Sequence, residues 1–305
     1  MTLSELRYVV ALARERHFGR AAAACYVSQP TLSTAIKKLE EELGAPLFER
    51  SRAEVSITPL GREVVEHARR ALEEVERIEQ LTRQGGDPLA EPLRLGAIYT
   101  IGPYLLPSLI PALHKRAPQM RVLIEENYTA ELAVRLKQRE LDVVILSLPF
   151  QEPGVEVRAL YDEPFMAAFP AGHPWEARQA VPVDQLDGAE LLMLGPGHCF
   201  REQVISFCPP LQRAAAGRLQ QTLEGGSLET IRHMVASGAG VTVLPCGAAG
   251  PDRSDQGLLR YRPLSGAEPT RRVALAWRRS FNRPAVLEVL GEALAEARPP
   301  CTRGL

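Results

Sequence analysis

No apolar run in this 305-residue chain reaches the ~18 residues that crossing a bilayer demands, so no membrane span is expected. The opening MTLSELRY lacks a basic-then-apolar leader, and the expected location is cytoplasmic. Excess charge is lacking too: 36 Lys and Arg stand against 37 Asp and Glu, a formal net charge of −1. This excludes a protein that coats nucleic acid non-specifically but leaves room for one small module with a locally basic face. There is no HExxH, GxSxG, P-loop or GxGxxG pattern, so neither an enzyme nor a cofactor or metal is expected. The five cysteines are odd in number, and none lies at the spacing of a zinc site. In a cytoplasmic chain they argue against a structural disulfide framework. Cys25, Cys246 and Cys301 read as isolated thiols, with Cys301 in a frayed tail.

The chain is too long for one compact core and suits two or three domains. From Leu3 to Leu12 apolar residues recur at helical spacing, and Phe18-Gly19-Arg20 is expected to break that helix. A short Ala-rich helix, Ala21 to Cys25, follows. Ser28 is then a good N-cap and Pro30 suits a first helical turn. The next helix runs through Leu32, Ile36, Leu39 and Leu43 and stops at Gly44. Leu47–Arg50 and Val55–Thr58 read as short strands around the polar turn 51–54. Together these predict a winged helix-turn-helix over residues 1–58.

Residues 59 to about 84 read as one long helix. Its narrow stripe of Val64, Val65, Ala68, Leu72, Val75, Ile78 and Leu81 suggests pairing with a second copy, with packing on its own domain as the alternative. Gly85-Gly86-Asp87-Pro88 is a hinge, so 59–87 forms the linker. Beyond it, strands at Leu93–Ile98, Arg121–Glu126 and Leu141–Leu146 alternate with helices at Leu105–Ala117 and Ala130–Arg139, the rhythm of a parallel α/β sheet. A second unit, 163–266, has strands near Phe165–Phe169, Glu190–Leu194 and Val241–Leu244. The strand Val273–Trp277 and the helix after Pro284 return to the first unit, giving lobe I as 88–162 plus 267–305. Two lobes joined by two crossovers enclose a cleft.

The exposed start of the second helix of the pair must meet base edges in the major groove. Here it carries Ser28, Gln29, Pro30, Thr31, Ser33 and Thr34, followed by Lys37 and Lys38. Arg50 and Arg52 near the hairpin suit phosphate or minor-groove contacts. The motif series Phe18-Gly19-Arg20-Ala21-Ala22, Val27-Ser28-Gln29-Pro30-Thr31-Leu32-Ser33, Ile36-Lys37-Lys38-Leu39-Glu40 and Leu47-Phe48-Glu49-Arg50 resembles LysR-type transcriptional regulators. The resemblance implies a winged helix-turn-helix, a dimerising linker helix and a two-lobed regulatory domain like the periplasmic binding proteins. It also implies double-stranded promoter DNA and RNA polymerase as partners, and homodimers that pair into homotetramers.

Residues after Cys199 are compatible with a short helix ended by Pro209-Pro210. That places Cys199 at a helix N-terminus, where the helix dipole favours a thiolate and the adjacent His198 can do the same. A thiolate open to a small oxidant becomes a sulfenic acid, which a second cysteine can convert to a disulfide. With the helix intact, Cys199 and Cys208 stand on the order of 13 Å apart. A disulfide needs Cα atoms within about 7 Å, so bonding requires unwinding.

The run Gly197-His198-Cys199-Phe200-Arg201-Glu202-Gln203 with Phe207-Cys208 resembles the peroxide-sensing members of the LysR family. That resemblance implies hydrogen peroxide as effector, Cys199 as peroxidatic and Cys208 as resolving cysteine. It also implies support from Thr100, Thr129 and Arg271. One departure is Pro209-Pro210, which stiffens the resolving side and predicts either slower disulfide formation or a different refolded state. Two alternatives stay open: a regulator answering a small organic effector in the cleft, and a thiol peroxidase.

Overall fold

The computed structural model describes residues 1–50, 55–82, 89–186, 189–208, 224–249, 257–266 and 268–305. The chain divides into two compact units, Met1–Gly86 and Asp87–Leu305.

In the first unit, α1 (Leu3–Glu15) opens in a reciprocal cap. Thr2 Oγ1 accepts from the Glu5 amide at 3.2 Å, and the Glu5 carboxylate accepts from the Thr2 amide at 2.7 Å. The expected break at Phe18-Gly19-Arg20 lies two residues earlier. Arg16 adopts a left-handed conformation and His17 Nδ1 caps the next helix, so Phe18 begins α2 (Phe18–Ala24). An imidazole acting as cap acceptor was the missed signal. α3 (Gln29–Leu43) starts at its Ser28 cap and stops at Gly44, whose φ of +69° is the left-handed conformation glycine adopts without penalty.

Strands β1 (Phe48–Arg50) and β2 (Val55–Ile57) form the antiparallel hairpin. Glu40 of α3 holds its base by accepting from the Leu47 and Phe48 amides at 2.7 and 3.0 Å. The linker helix α4 (Pro59–Thr82) packs on α1 through buried Val65 and Ala68, whereas Ile78, further along, is 62% exposed. The stripe is thus consumed by its own domain at the start and uncovered towards the end.

In the second unit, β3 (Leu93–Ile98) lies between β4 (Val122–Asn127) and β5 (Val143–Ser147), all parallel. Helices α5 (Gly102–Arg116) and α6 (Thr129–Lys137) make the crossovers. β12 (Thr270–Arg278) adds antiparallel to β5, and the helix Pro284–Ala297 packs on α5, completing lobe I. Lobe II is built on β8 (Leu191–Leu194) parallel to β10 (Val241–Pro245), with α7 (Cys199–Phe207) following β8. Each lobe has its own core.

The strand expected near Phe165–Phe169 is the far end of β6 (Val155–Pro170), 16 residues long. Its first part pairs with β12 in lobe I, and its last with β10 and with β11 (Leu259–Ser265) in lobe II. Charged, exposed positions in its first half hid it from apolar periodicity.

The reading of Cys246 and Cys301 as isolated thiols is wrong. They form a disulfide across a sequence separation of 55. The tail is also ordered: Arg303–Gly304 pairs as a short strand with Tyr161 and Asp162 of β6. That long-range pairing brings Cys301 to the end of β10, and no local pattern announces it.

Candidate sensing site and DNA-facing helix

The turn into α7 is shaped by Gly197. Its φ is +95°, and a Cβ there would stand 3.3 Å from the Tyr128 ring. Cys199 is then the first residue of α7. The helix serves two lobes by its periodicity. Cys199 packs, half-buried, against the lobe I core, and Gln203, one turn on, donates to Ser147 Oγ at 2.8 Å and to the Leu148 carbonyl at 3.2 Å. Phe200, Val204 and Cys208 are buried in the lobe II core. Arg201 fixes the same side by donating to the Leu194 carbonyl at 2.6 Å. Cys199 and Cys208, neither of them in a disulfide, thus occupy opposite ends of an intact helix and different cores.

Parallel register aligns the strand ends beside this helix. Ile98 of β3 pairs with Asn127 of β4, so Thr100 and Thr129 each follow two residues later on the same edge of the sheet. Thr129 begins α6, and its hydroxyl is buried without a hydrogen-bond partner. Thr100 is held by Arg271: Nη1 donates to its Oγ1 and Nη2 to its carbonyl, both at 2.8 Å. Arg271 Nε donates to Glu163 Oε2 at 2.7 Å, forming a buried ion pair. The guanidinium carbon stands 5.4 Å from the centre of the Phe200 ring, next to Cys199 in sequence. Arg271 is therefore no isolated cation aimed at the thiol; Glu163 balances its charge, and its reach into the site runs through Thr100.

His198 needs a correction of the same kind. Burial lowers its pKa below the ordinary histidine value, so near neutral pH it carries no charge to favour a thiolate. Its side chain makes no capping bond to α7 but bonds the Gly226 backbone and packs as a ring, 4.8 Å from Tyr128 and 6.1 Å from Tyr99 between centres. Glu163, Ser147 and Gln203 were not singled out from sequence. Glu163 faces Arg271 directly in the β6–β12 register, and only that pairing identifies it. Pro209-Pro210 lies outside the described residues.

Between the lobes runs a cleft of ≈ 700 Å³ lined in part by Phe150, Asp162, Gln203, Phe207, Arg271 and Arg272. Among the described residues no group of three or more His, Cys, Asp or Glu is arranged to hold a metal ion.

On α3, Gln29, Pro30, Thr31, Thr34, Lys37 and Lys38 are exposed and Ser33 is half-buried. Ser28 Oγ accepts from the Thr31 amide at 3.3 Å and bonds the Thr31 hydroxyl at 2.7 Å, so both residues also hold the helix start. Lys37 is 3.6 Å from Glu41, one turn on. Tyr26, not singled out from sequence, is 97% exposed in the turn before the cap. The Arg50 side chain and all of Arg52 lie outside the described residues.

Comparison with known proteins matches residues 3–62 to the bacterial regulatory helix-turn-helix of the lysR family and residues 86–299 to the LysR substrate binding domain. The chain is 42% identical to the DNA-binding transcriptional dual regulator OxyR of Escherichia coli K12 over 96% of its own length and 95% of that protein. A full-length OxyR structure from Pseudomonas aeruginosa superposes with a TM-score of 0.79 at 51% identity, covering 96% of this chain and 94% of that one. A reduced form of OxyR from N. meningitidis gives 0.66 at 42% identity, covering 70% of this chain and 99% of that one. No helix is long and apolar enough to cross a membrane among the described residues.

Proposed function

The chain belongs to the LysR family of helix-turn-helix transcription regulators, and from that premise we propose a peroxide-sensing mechanism carried by α7. The protein is a regulator of the hydrogen peroxide-inducible type, as are the OxyR relatives it matches along nearly its whole length. The observation that carries the mechanism is the placement of two cysteines outside any disulfide at the two ends of one helix, each packed in a different lobe.

Cys199 is the peroxidatic residue. Its thiolate attacks one peroxide oxygen, the O–O bond breaks, and hydroxide leaves to become water. Thr100 accepts from Arg271, which leaves its own proton free for donation to a peroxide oxygen. Thr129, with a buried and unpartnered hydroxyl, supplies a second polar contact, and His198 acts as a neutral ring that walls the site. Cys208 then attacks the sulfenic sulfur and releases water. Because an intact helix holds the two on the order of 13 Å apart, the step requires α7 to unwind. Unwinding withdraws Phe200, Val204 and Cys208 from lobe II and Gln203 from lobe I. That is a large enough change of packing to rearrange subunits.

In this reading the protein is cytoplasmic and not an enzyme: each subunit is oxidised once per signal. Residues 1–58 bind promoter DNA through Ser28, Gln29, Pro30, Thr31, Ser33, Thr34, Lys37, Arg50 and Arg52; 59–87 dimerise; lobe I (88–162 and 267–305) and lobe II (163–266) carry the switch. The assembly is a homodimer pairing to a homotetramer that engages RNA polymerase. Peptide mapping after mild peroxide is the test. A Cys199–Cys208 disulfide that returns to thiols under reductant is expected. Its absence would leave the inter-lobe cleft and a small organic effector as the better account.

A further inference from the structure

We propose that Cys246 and Cys301 are a second, reversible redox pair that tunes the peroxide site through Gly247, Glu163 and Arg271. The inference rests on the peroxide-sensing reading above but draws on different residues. The two lobes are joined by β6 and by the return from β11 to β12. The Cys246–Cys301 bond is a third covalent connection: Cys301 follows the last helix of lobe I, and Cys246 directly follows β10 of lobe II. It closes on a crowded point. The Gly247 amide donates to Glu163 Oε1 at 2.9 Å. A Cβ on Gly247 would lie 2.7 Å from that oxygen and 3.1 Å from Pro299, so the segment is clamped between Glu163 and the tail that carries Cys301. The other oxygen of Glu163 receives Arg271, which in turn holds Thr100. Three consecutive hydrogen bonds therefore link Gly247, the residue bonded to Cys246, to Thr100 in the sensing site.

The chemistry closes with peroxide as oxidant. Cys301 is exposed whereas Cys246 is buried, so the Cys301 sulfur meets peroxide first. Its thiolate takes one oxygen as the O–O bond breaks, and hydroxide leaves as water once protonated. The Cys246 sulfur then attacks the Cys301 sulfur, the S–O bond breaks, and a second water leaves with the Cys246 proton. Two thiols lose two electrons to one peroxide. A dithiol reverses this by attacking Cys301, expelling the Cys246 thiolate, and closing its own disulfide. With the pair oxidised, the Gly247 amide is fixed on Glu163 and the Arg271–Thr100 contacts are fixed with it. With the pair reduced, the tail is tied down only by its short strand pairing and side-chain contacts.

The experiment uses the full chain poised with graded ratios of oxidised to reduced dithiothreitol. Mass spectrometry follows the Cys246–Cys301 bond, and iodoacetamide labelling gives the reactivity of Cys199. Peroxide is a separate arm, so a failure of peroxide sensing at Cys199 is seen apart from a failure of the pair. The bond should form with peroxide in a Cys199→Ser, Cys208→Ser background and disappear with the dithiol. Cys199 labelling should change about fivefold between the two states of the pair, the lower end of the usual coupling between sites. The Cys246→Ser, Cys301→Ser double variant should show the reduced-pair rate under all conditions. A bond that never forms, one that resists the dithiol, or a labelling rate indifferent to its state would each overturn the proposal.

Discussion

Helices α3 and α7 both carry residues assigned a role in the proposed function, yet they are held in opposite ways. α3 is closed locally at each end. Ser28 caps the start, Gly44 takes the left-handed conformation at the stop, and buried Leu32, Ile36 and Leu39 form one stripe. α7 has no side-chain bond at its His198 cap and no glycine at its end, where Cys208 stands instead. Its stability comes from neighbours: Gln203 on Ser147, Arg201 on Leu194, and Phe200 in lobe II. A helix that is capped at both ends and also buries an apolar stripe has both local and tertiary support, which suits a reader of DNA. A helix that depends on tertiary contacts can be exchanged for another arrangement once those contacts have a competitor, which suits a switch.

The largest expected effect breaks the comparison at its chemical end. Cys199→Ser should abolish the peroxide response while operator binding persists; a retained response in a transcription assay would assign the nucleophile elsewhere. Gln203→Ala should loosen α7 by about 1 kcal/mol, since two donor bonds are lost and one buried, unpartnered oxygen is relieved. Disulfide formation should then be faster by roughly fivefold in rapid-quench alkylation. An unchanged rate would mean that unwinding is not limiting.

Ser28→Ala probes the other helix and should cost about 1 kcal/mol of stability in the DNA-binding unit, read as a lower urea midpoint. If it costs nothing, α3 is not locally secured and the contrast with α7 fails.

The smallest effect is in pH. Burial holds His198 and His173 below the ordinary histidine pKa, so the folded chain binds fewer protons than the unfolded one. Their contribution is complete above the unfolded value near 6.5 and is lost progressively as pH falls from there through the lower folded value. The urea midpoint of the regulatory unit should drop from about pH 7.5 to about pH 5.5. His198→Asn should flatten part of that slope.

Much of the site was legible as pattern. Cys199 at a helix start, the Ser28 cap, and the two threonines after parallel strands follow from residues close in sequence. Glu163 and Ser147 were not legible, because they matter only through partners 108 and 56 residues away. His198 shows a related limit: sequence places a histidine next to Cys199, while only the tertiary structure shows that burial holds its pKa below the ordinary value. The same holds for β6, whose exposed charged half gives no apolar period.

Local chemistry in the chain determined the helix ends, the turn glycines, the alternation of strand and helix, and the two thiols spaced along one short helix, because these depend on backbone preferences and periodicities of a few residues. Tertiary structure decided that Arg271 answers to Glu163, that Gln203 moors α7 to the other lobe, and that Cys246 meets Cys301. Each of those depends on strand register and burial across distant segments, and such long-range terms leave no periodic mark in the sequence.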